Sequence, residues 1–322
     1  MRAFTKCLTG VLLGSAVGLA SPAAAQTVPS GFSATPVVAG PSYSDLHGIV
    51  VTADERLLIA RGSRTVGNQE LVEVDLVTGV SSSLISGLPL GHPDRMLIGN
   101  GGPLLGNDLI LADHNSNEVA PCCDGRVFRI DLDTLAVTTV SAGNPLGGSV
   151  GDPFGVAQGL GGAFGTSLYV VDFQGASPVP PVIYEVLNDG TAVPLVVDEP
   201  QWSVNASPKD LAFDPSGAYS GDLFVADEGE DDTVWRVTPT GVVTSFADFP
   251  RPTAVAFGPG GPFGQTMYVL SHVGNTSTLY TVAPDGSVTE FATGFRSVTA
   301  ATPDIAFSPD GQTLYVAIED EG

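Results

Sequence analysis

The chain has 322 residues, enough to bury a sizeable core. Its formal charge of −23, from 35 acidic against 12 basic residues, excludes a nucleic-acid partner, which needs a basic footprint. Wholesale disorder is excluded by 43% hydrophobic residues, while 40 glycines and 25 prolines point to a turn-rich fold.

The first segment reads as an address. Arg2 and Lys6 make a basic start, residues 8–20 (LTGVLLGSAVGLA) form a short apolar run, and Ala23-Ala24-Ala25 precede Gln26. This order is that of a secretory signal peptide over residues 1–25, and the run is too short to span a bilayer comfortably. Cys7 precedes the run and is not placed to carry a lipid. No other stretch is long and apolar enough for a membrane span, so the expected location is secreted or periplasmic. Past the leader only Cys122 and Cys123 remain. A strained disulfide between these neighbours would clip one loop in an oxidising compartment. The alternative is two free thiols for a soft metal, but no nearby CxxC supports it.

From residue 26 onward one apolar signature recurs six times: LLIA (57–60), LILA (109–112), LYVV (168–171), LFVA (223–226), MYVL (267–270) and LYVA (314–317). Another short run precedes each copy: GIVV (48–51), RMLI (95–98), GVAQ (155–158), DLAF (210–213), AVAF (254–257) and DIAF (304–307). Five copies continue with an alternating third segment, such as RVFRIDL (126–132) or TVWRVT (233–238), then a turn and a fourth segment. Rich in Val, Ile, Leu and aromatics, and punctuated by Asp-Gly and Thr-Gly, these are strands and hairpins. The glycine-rich turns GGAFGTS (161–167) and GGPFGQT (260–266) lead into strands, not helices. They are therefore loop tips, each burying one aromatic, rather than phosphate cradles.

Four antiparallel strands per unit is the propeller signature. Residues 26–322 are thus predicted to form an all-β, six-bladed β-propeller, expected to be monomeric. The sixth unit stops after its second strand, and SATPVVAG (33–40) looks like the fourth strands elsewhere. That N-terminal strand is predicted to complete the last blade and close the ring, which would protect exposed edges.

LFVADEGEDDTVWRV (223–237) and LILADHNSNEV (109–119) resemble NHL-type repeats. All six units together look like the wider group of six-bladed propellers that includes gluconolactonases and senescence marker protein. The resemblance implies a metal held by Glu, Asn and Asp at the inner-strand starts, on the face where the central channel opens. Position by position this chain offers His47, Asp94, Phe154, Lys209, Thr253 and Pro303 there. One register later it offers Gly48, Arg95, Gly155, Asp210, Ala254 and Asp304. The trio is not reproduced, so lactonase activity does not carry over residue by residue. Asp94, Asp210 and Asp304 are the candidate oxygen ligands for a divalent cation such as calcium.

All four histidines, His47, His92, His114 and His272, fall in loops of that face. His47 and Asp94 are the candidates for general base or water activation. Arg95, Lys209, Arg251, His114 and His272 are candidate ligand-binding residues, with the arginines suited to a carboxylate. Asp113, Asp172 and Asp227 recur at the ends of second strands and read as acceptors for loop backbone donors. No GxSxG elbow and no HExxH motif occurs. The expected function is small-ligand binding with a divalent cation at the channel mouth, with metal-assisted lactone or ester hydrolysis as its chemistry. The alternative is a non-catalytic NHL-type scaffold for an extracellular protein or glycan.

Overall fold

Each repeat supplies short segments rich in β-branched and aromatic residues, too short for helices, and they fold as strands. The computed structural model describes residues 8–14, 26–37, 46–62, 69–88, 92–114, 125–140, 152–173, 180–197, 201–202, 206–296 and 303–320. Among them there is no α-helix, only two single-turn 3-10 segments. Cys122 and Cys123 lie outside the described residues.

At the chain start lie β1 (Leu8–Gly14) and β2 (Ala34–Pro36). The first blade contains β3 (Leu46–Val51), β4 (Leu57–Arg61), β5 (Gln69–Val74) and β6 (Ser81–Leu88). The second contains β7 (Pro93–Ile98), β8 (Leu109–Asp113), β9 (Arg126–Ile130) and β10 (Val137–Thr139). The third contains β11 (Pro153–Gln158), β12 (Leu168–Asp172), β13 (Val182–Val186) and β14 (Ala192–Val196). The fourth contains β15 (Pro208–Phe213), β16 (Leu223–Asp227), β17 (Thr233–Val237) and β18 (Val243–Asp248). The fifth contains β19 (Pro252–Phe257), β20 (Met267–Val273), β21 (Thr276–Val282) and β22 (Val288–Arg296). Finally come β23 (Asp304–Phe307) and β24 (Leu314–Asp320).

The protein is an all-β propeller, but its blade count departs from the expected six. Five sheets are antiparallel blades of four strands in sequence order. The remaining sheet has the order β2-β1-β24-β23, and only its β23–β24 pair is antiparallel. The sixth repeat supplies two strands, so the two outer places are filled from the other end of the chain, in parallel. Leu8–Gly14, within the segment read as a leader, aligns with β24 from Thr9 opposite Tyr315 to Gly14 opposite Asp320. Of the 33–40 segment, Ala34–Pro36 pair with β1 and not directly with β24.

Apolar side chains fill the gaps between sheets. Leu58, Leu71, Leu109 and Phe128 join the first blade to the second; Leu57 and Ile59 meet Tyr315 and Ala317 of β24. The second strands are the most enclosed: β8, β12 and β16 are buried along their whole length. Loop tips add anchors, because Leu105, Phe164, Tyr219 and Phe263 are all buried. Tyr169 and Tyr268 donate their hydroxyls to the Phe164 and Phe263 carbonyls, at 2.7 and 3.0 Å.

The first strands β3, β7, β11, β15, β19 and β23 stand around the axis, each touching the next, with β23 against β3. Close packing there requires glycine: a Cβ on Gly48 would run into the Asp94 carbonyl of the neighbouring blade. Gly48→Ala is therefore expected to destabilise the protein by about 1–3 kcal/mol, measured as a lowered urea midpoint.

Candidate functional site at the channel mouth

Five first strands begin with a proline or leucine and then slip register against their partners. The irregularities fall between Leu46 and Gly48, Pro93 and Met96, Pro153 and Val156, Pro208 and Asp210, and Pro252 and Ala254. The residues inside these bulges are His47, Asp94, Arg95, Phe154, Gly155, Lys209 and Thr253. A bulge re-aims side chains that regular pleating would send into the blade. Here the bulged positions include His47, Asp94, Arg95, Lys209 and Thr253, polar groups gathered around the axis.

The loop residue before the proline is fixed by the aspartate ending the second strand. Asp113, Asp172 and Asp227 accept the backbone N–H groups of His92, Asp152 and Ser207, at 2.6, 2.7 and 2.6 Å. These aspartates hold loops, as their recurrence predicts. The same bond positions His92, whose importance an X-Pro step followed by Asp about twenty residues later would have signalled.

His47, His92, His114 and Phe154 form a continuous arc of rings. Successive centroids are 4.1, 4.0 and 4.4 Å apart, and His114 lies nearly parallel to Phe154 at 10°. Beyond Phe154 the Lys209 ammonium sits 3.9 Å from the ring centroid, a cation–π contact from the fourth blade. Asp94 lies beneath the arc. His114 Nδ1 pairs closely with Asp94 Oδ2, and His92 Nδ1 lies 3.5 Å from Asp94 Oδ1.

His47 Nε2 approaches the Gly62 carbonyl at 3.3 Å, but its Nδ1 and the His92 Nδ1 are buried without a hydrogen-bond partner. A ring nitrogen from each of these two histidines and one Asp94 oxygen lie within 4.8 Å of one another. Burial, reinforced by neighbouring His92, lowers the His47 pKa to about 3, leaving a neutral imidazole. Burial alone would raise the Asp94 pKa. Its histidine neighbours, His114 foremost, hold it well below the usual carboxylate range instead. The neutral His47 imidazole, the neighbouring His92 ring and an ionised carboxylate are a donor set for a cation.

The other predicted residues fall into separate groups. Arg95 lies across the axis and donates to the His47 and Pro303 carbonyls, each at 3.1 Å, and to that of Thr253. Its Nε is 3.8 Å from Asp210 and 3.6 Å from Asp304. Each aspartate also bridges two strands: Asp210 accepts from Leu211 and Val255, both at 2.9 Å; Asp304 accepts from Ile305 and Ile49, at 2.8 and 3.0 Å. Burial raises the pKa of both, with Arg95 opposing, and Asp210 reaches about 7. Asp94 thus joins the histidines while Asp210 and Asp304 join Arg95. Lys209 and Arg251 both approach Glu228, at 3.4 Å, on the far side of the mouth. His272 is enclosed in the fifth blade, with Nδ1 3.2 Å from Ser277 Oγ, and does not meet the other histidines.

By sequence the chain matches no family model and no curated protein. Its fold does match solved structures. A calcium-binding regucalcin from Agrobacterium tumefaciens is 14% identical, with a TM-score of 0.55 over 83% of this chain and 79% of its own. The periplasmic gluconolactonase of Pseudomonas aeruginosa is 16% identical, with a TM-score of 0.54 over 81% and 75%. A Bacteroides thetaiotaomicron protein of unknown function is 13% identical with a TM-score of 0.53; 84% of this chain spans 65% of its length. These likenesses establish the propeller fold.

Removing the axial guanidinium would strand two buried carboxylates. Arg95→Met is expected to cost about 3–5 kcal/mol in denaturant unfolding, whereas Arg251→Met at the rim should change stability by less than about 1 kcal/mol. Asp152 at the mouth generates a second expectation. Burial, with Asp172 and Asp94 nearby, lifts its pKa from 3.8 to about 8. Between those values the native state holds a proton that the unfolded chain has released, so stability falls as pH rises. Asp152→Asn, uncharged throughout, should melt above wild type near pH 9 and converge with it near pH 4.

Proposed function

We propose that this is an exported propeller that binds a small ligand and a divalent cation at its histidine-bearing mouth, and that its chemistry is metal-assisted hydrolysis of a lactone or ester. The observation that carries this reading is the convergence of His47, His92 and Asp94, with two buried ring nitrogens that make no hydrogen bond, the one on His92 facing Asp94 at 3.5 Å. Buried polar atoms without partners are costly, and a shared cation relieves that cost. Calcium prefers oxygen ligands alone, so this donor set assigns a borderline ion such as zinc. Bound there, the ion would polarise a substrate carbonyl.

The chain's own groups complete the reading. Asp94 and the histidines hold the cation side of the mouth, and Asp152 retains a proton at neutral pH. Lys209 and Arg251 supply positive charge opposite, where they can orient a polar ligand. Two structures of this fold are named for comparable properties, calcium binding and periplasmic gluconolactone chemistry. The exposed large apolar side chains among the described residues are valines and leucines, with no aromatic. Protein-binding surfaces favour aromatics, so this favours a ligand site over the interaction-scaffold alternative.

Calorimetric titration of chelator-treated protein with zinc and with calcium tests the cation. Zinc is expected to bind more tightly, and His47→Ala or Asp94→Asn to weaken it by at least about tenfold. Unchanged affinity in both variants, or no binding of either ion, would overturn the assignment. Zinc binding without turnover of any aldonolactone or aryl ester would instead remove the hydrolase half of the proposal.

A further inference from the structure

The channel is not continuous. The Arg95 layer divides it, and on the side away from the histidines lies a cavity of about 450 Å³. All six first strands contribute to its wall, including Ile49, Leu97, Val156, Leu211, Val255 and Ile305. Its floor is Arg95 with Asp210 and Asp304, and its rim is braced where Asn100 N–H donates to Gln158 Oε1 at 2.6 Å. We propose that this funnel is a second binding site, for a small organic ammonium ion with an aliphatic body. This inference is independent of the mouth reading, because the Arg95 layer separates the two sites.

Size and chemistry lead to that ligand class. The volume lies within the range of small-molecule sites, about 300–1,000 Å³. The wall is apolar, mostly aliphatic with Phe213 and Phe257 among its residues, and rewards burial of alkyl groups. The floor carries two carboxylates against one guanidinium, and the terminal guanidinium nitrogens are directed to the carbonyls of His47, Thr253 and Pro303. Burial raises the pKa of both carboxyl groups, so the second is ionised most readily when a further cation joins Arg95 at the bottom of the apolar shaft. Asp210 is the more open of the two, with 11% of its side chain exposed against 5% for Asp304. Each Asp210 oxygen accepts one backbone amide, and a carboxylate oxygen has room for a second donor. An ammonium head supplies such donors and the missing charge together. An anion would be repelled, and a neutral alkyl chain would desolvate the floor without compensation.

The test compares three probes of one chain length, hexylammonium, hexan-1-ol and hexanoate, by calorimetry on the folded protein. Hexylammonium is expected to bind at least about tenfold more tightly than either of the others, the difference a charge-assisted hydrogen bond supplies. Asp210→Asn should collapse that preference toward one. Leu211→Trp, which fills the shaft, should abolish binding while leaving the β-sheet circular dichroism unchanged. Equal affinity for hexylammonium and hexan-1-ol overturns the proposal, as does absence of binding by all three. So does undiminished hexylammonium binding in folded Leu211→Trp. The wild-type comparison needs no variant, so a poorly folding Asp210→Asn does not weaken the test.

Discussion

One buried guanidinium organises the axis. Arg95 bonds to carbonyls from the first blade, the fifth blade and the residue preceding β23, and lies beside aspartates of the fourth and last sheets. First strands of a propeller converge where their backbone groups have no ladder partner on one side, and unsatisfied groups there are costly. The guanidinium's five donors, in a fixed plane, answer that need from a single residue. Asp210 and Asp304 complete the layer by accepting amides across the gaps to the next strands. Both carboxyl groups face the guanidinium and each accepts two backbone amides, the kind of support a buried ionised group requires.

That layer also separates two chemistries. Above it the bulges present nitrogen and carboxylate donors, with His47 kept neutral by burial. Below it the same strands resume regular alternation and present mainly apolar side chains to the funnel. The change from polar to apolar follows from local geometry: a bulge shifts which residues face the axis, and pleating thereafter returns every second side chain to it. Asp94 and Arg95 show this most directly, as adjacent residues of one bulge that serve the mouth and the axial layer respectively.

The first and last strands pose a different physical problem. A sheet that ends on an unpaired edge invites association. Here β24 is covered by Leu8–Gly14, an apolar segment with the composition of a leader and also of a strand. The same property, a short apolar run with Leu and Val, serves either role. Periodicity alone does not distinguish them.

Much of the architecture was legible in the residues themselves. The recurring LYVA-type runs with their Asp-Gly turns specify strands and their order, because β-branched alternation and positive-φ turns are local properties. The role of Asp113, Asp172 and Asp227 was equally readable, since each acts on a loop about twenty residues away within its own blade. What the sequence could not decide was how separate blades share residues across the axis. Asp94 stands one register before Asp210 and Asp304 in the repeat, and only the assembled ring shows what that register means: the first meets histidines and the other two meet Arg95. His272 resembles the other histidines in position but is enclosed in its blade. The make of the last sheet, which reduced six expected blades to five of antiparallel form, likewise depended on contacts between chain ends. Local pattern determines strands; only closure of the ring places their first residues against one another, and the chemistry of both faces depends on that closure.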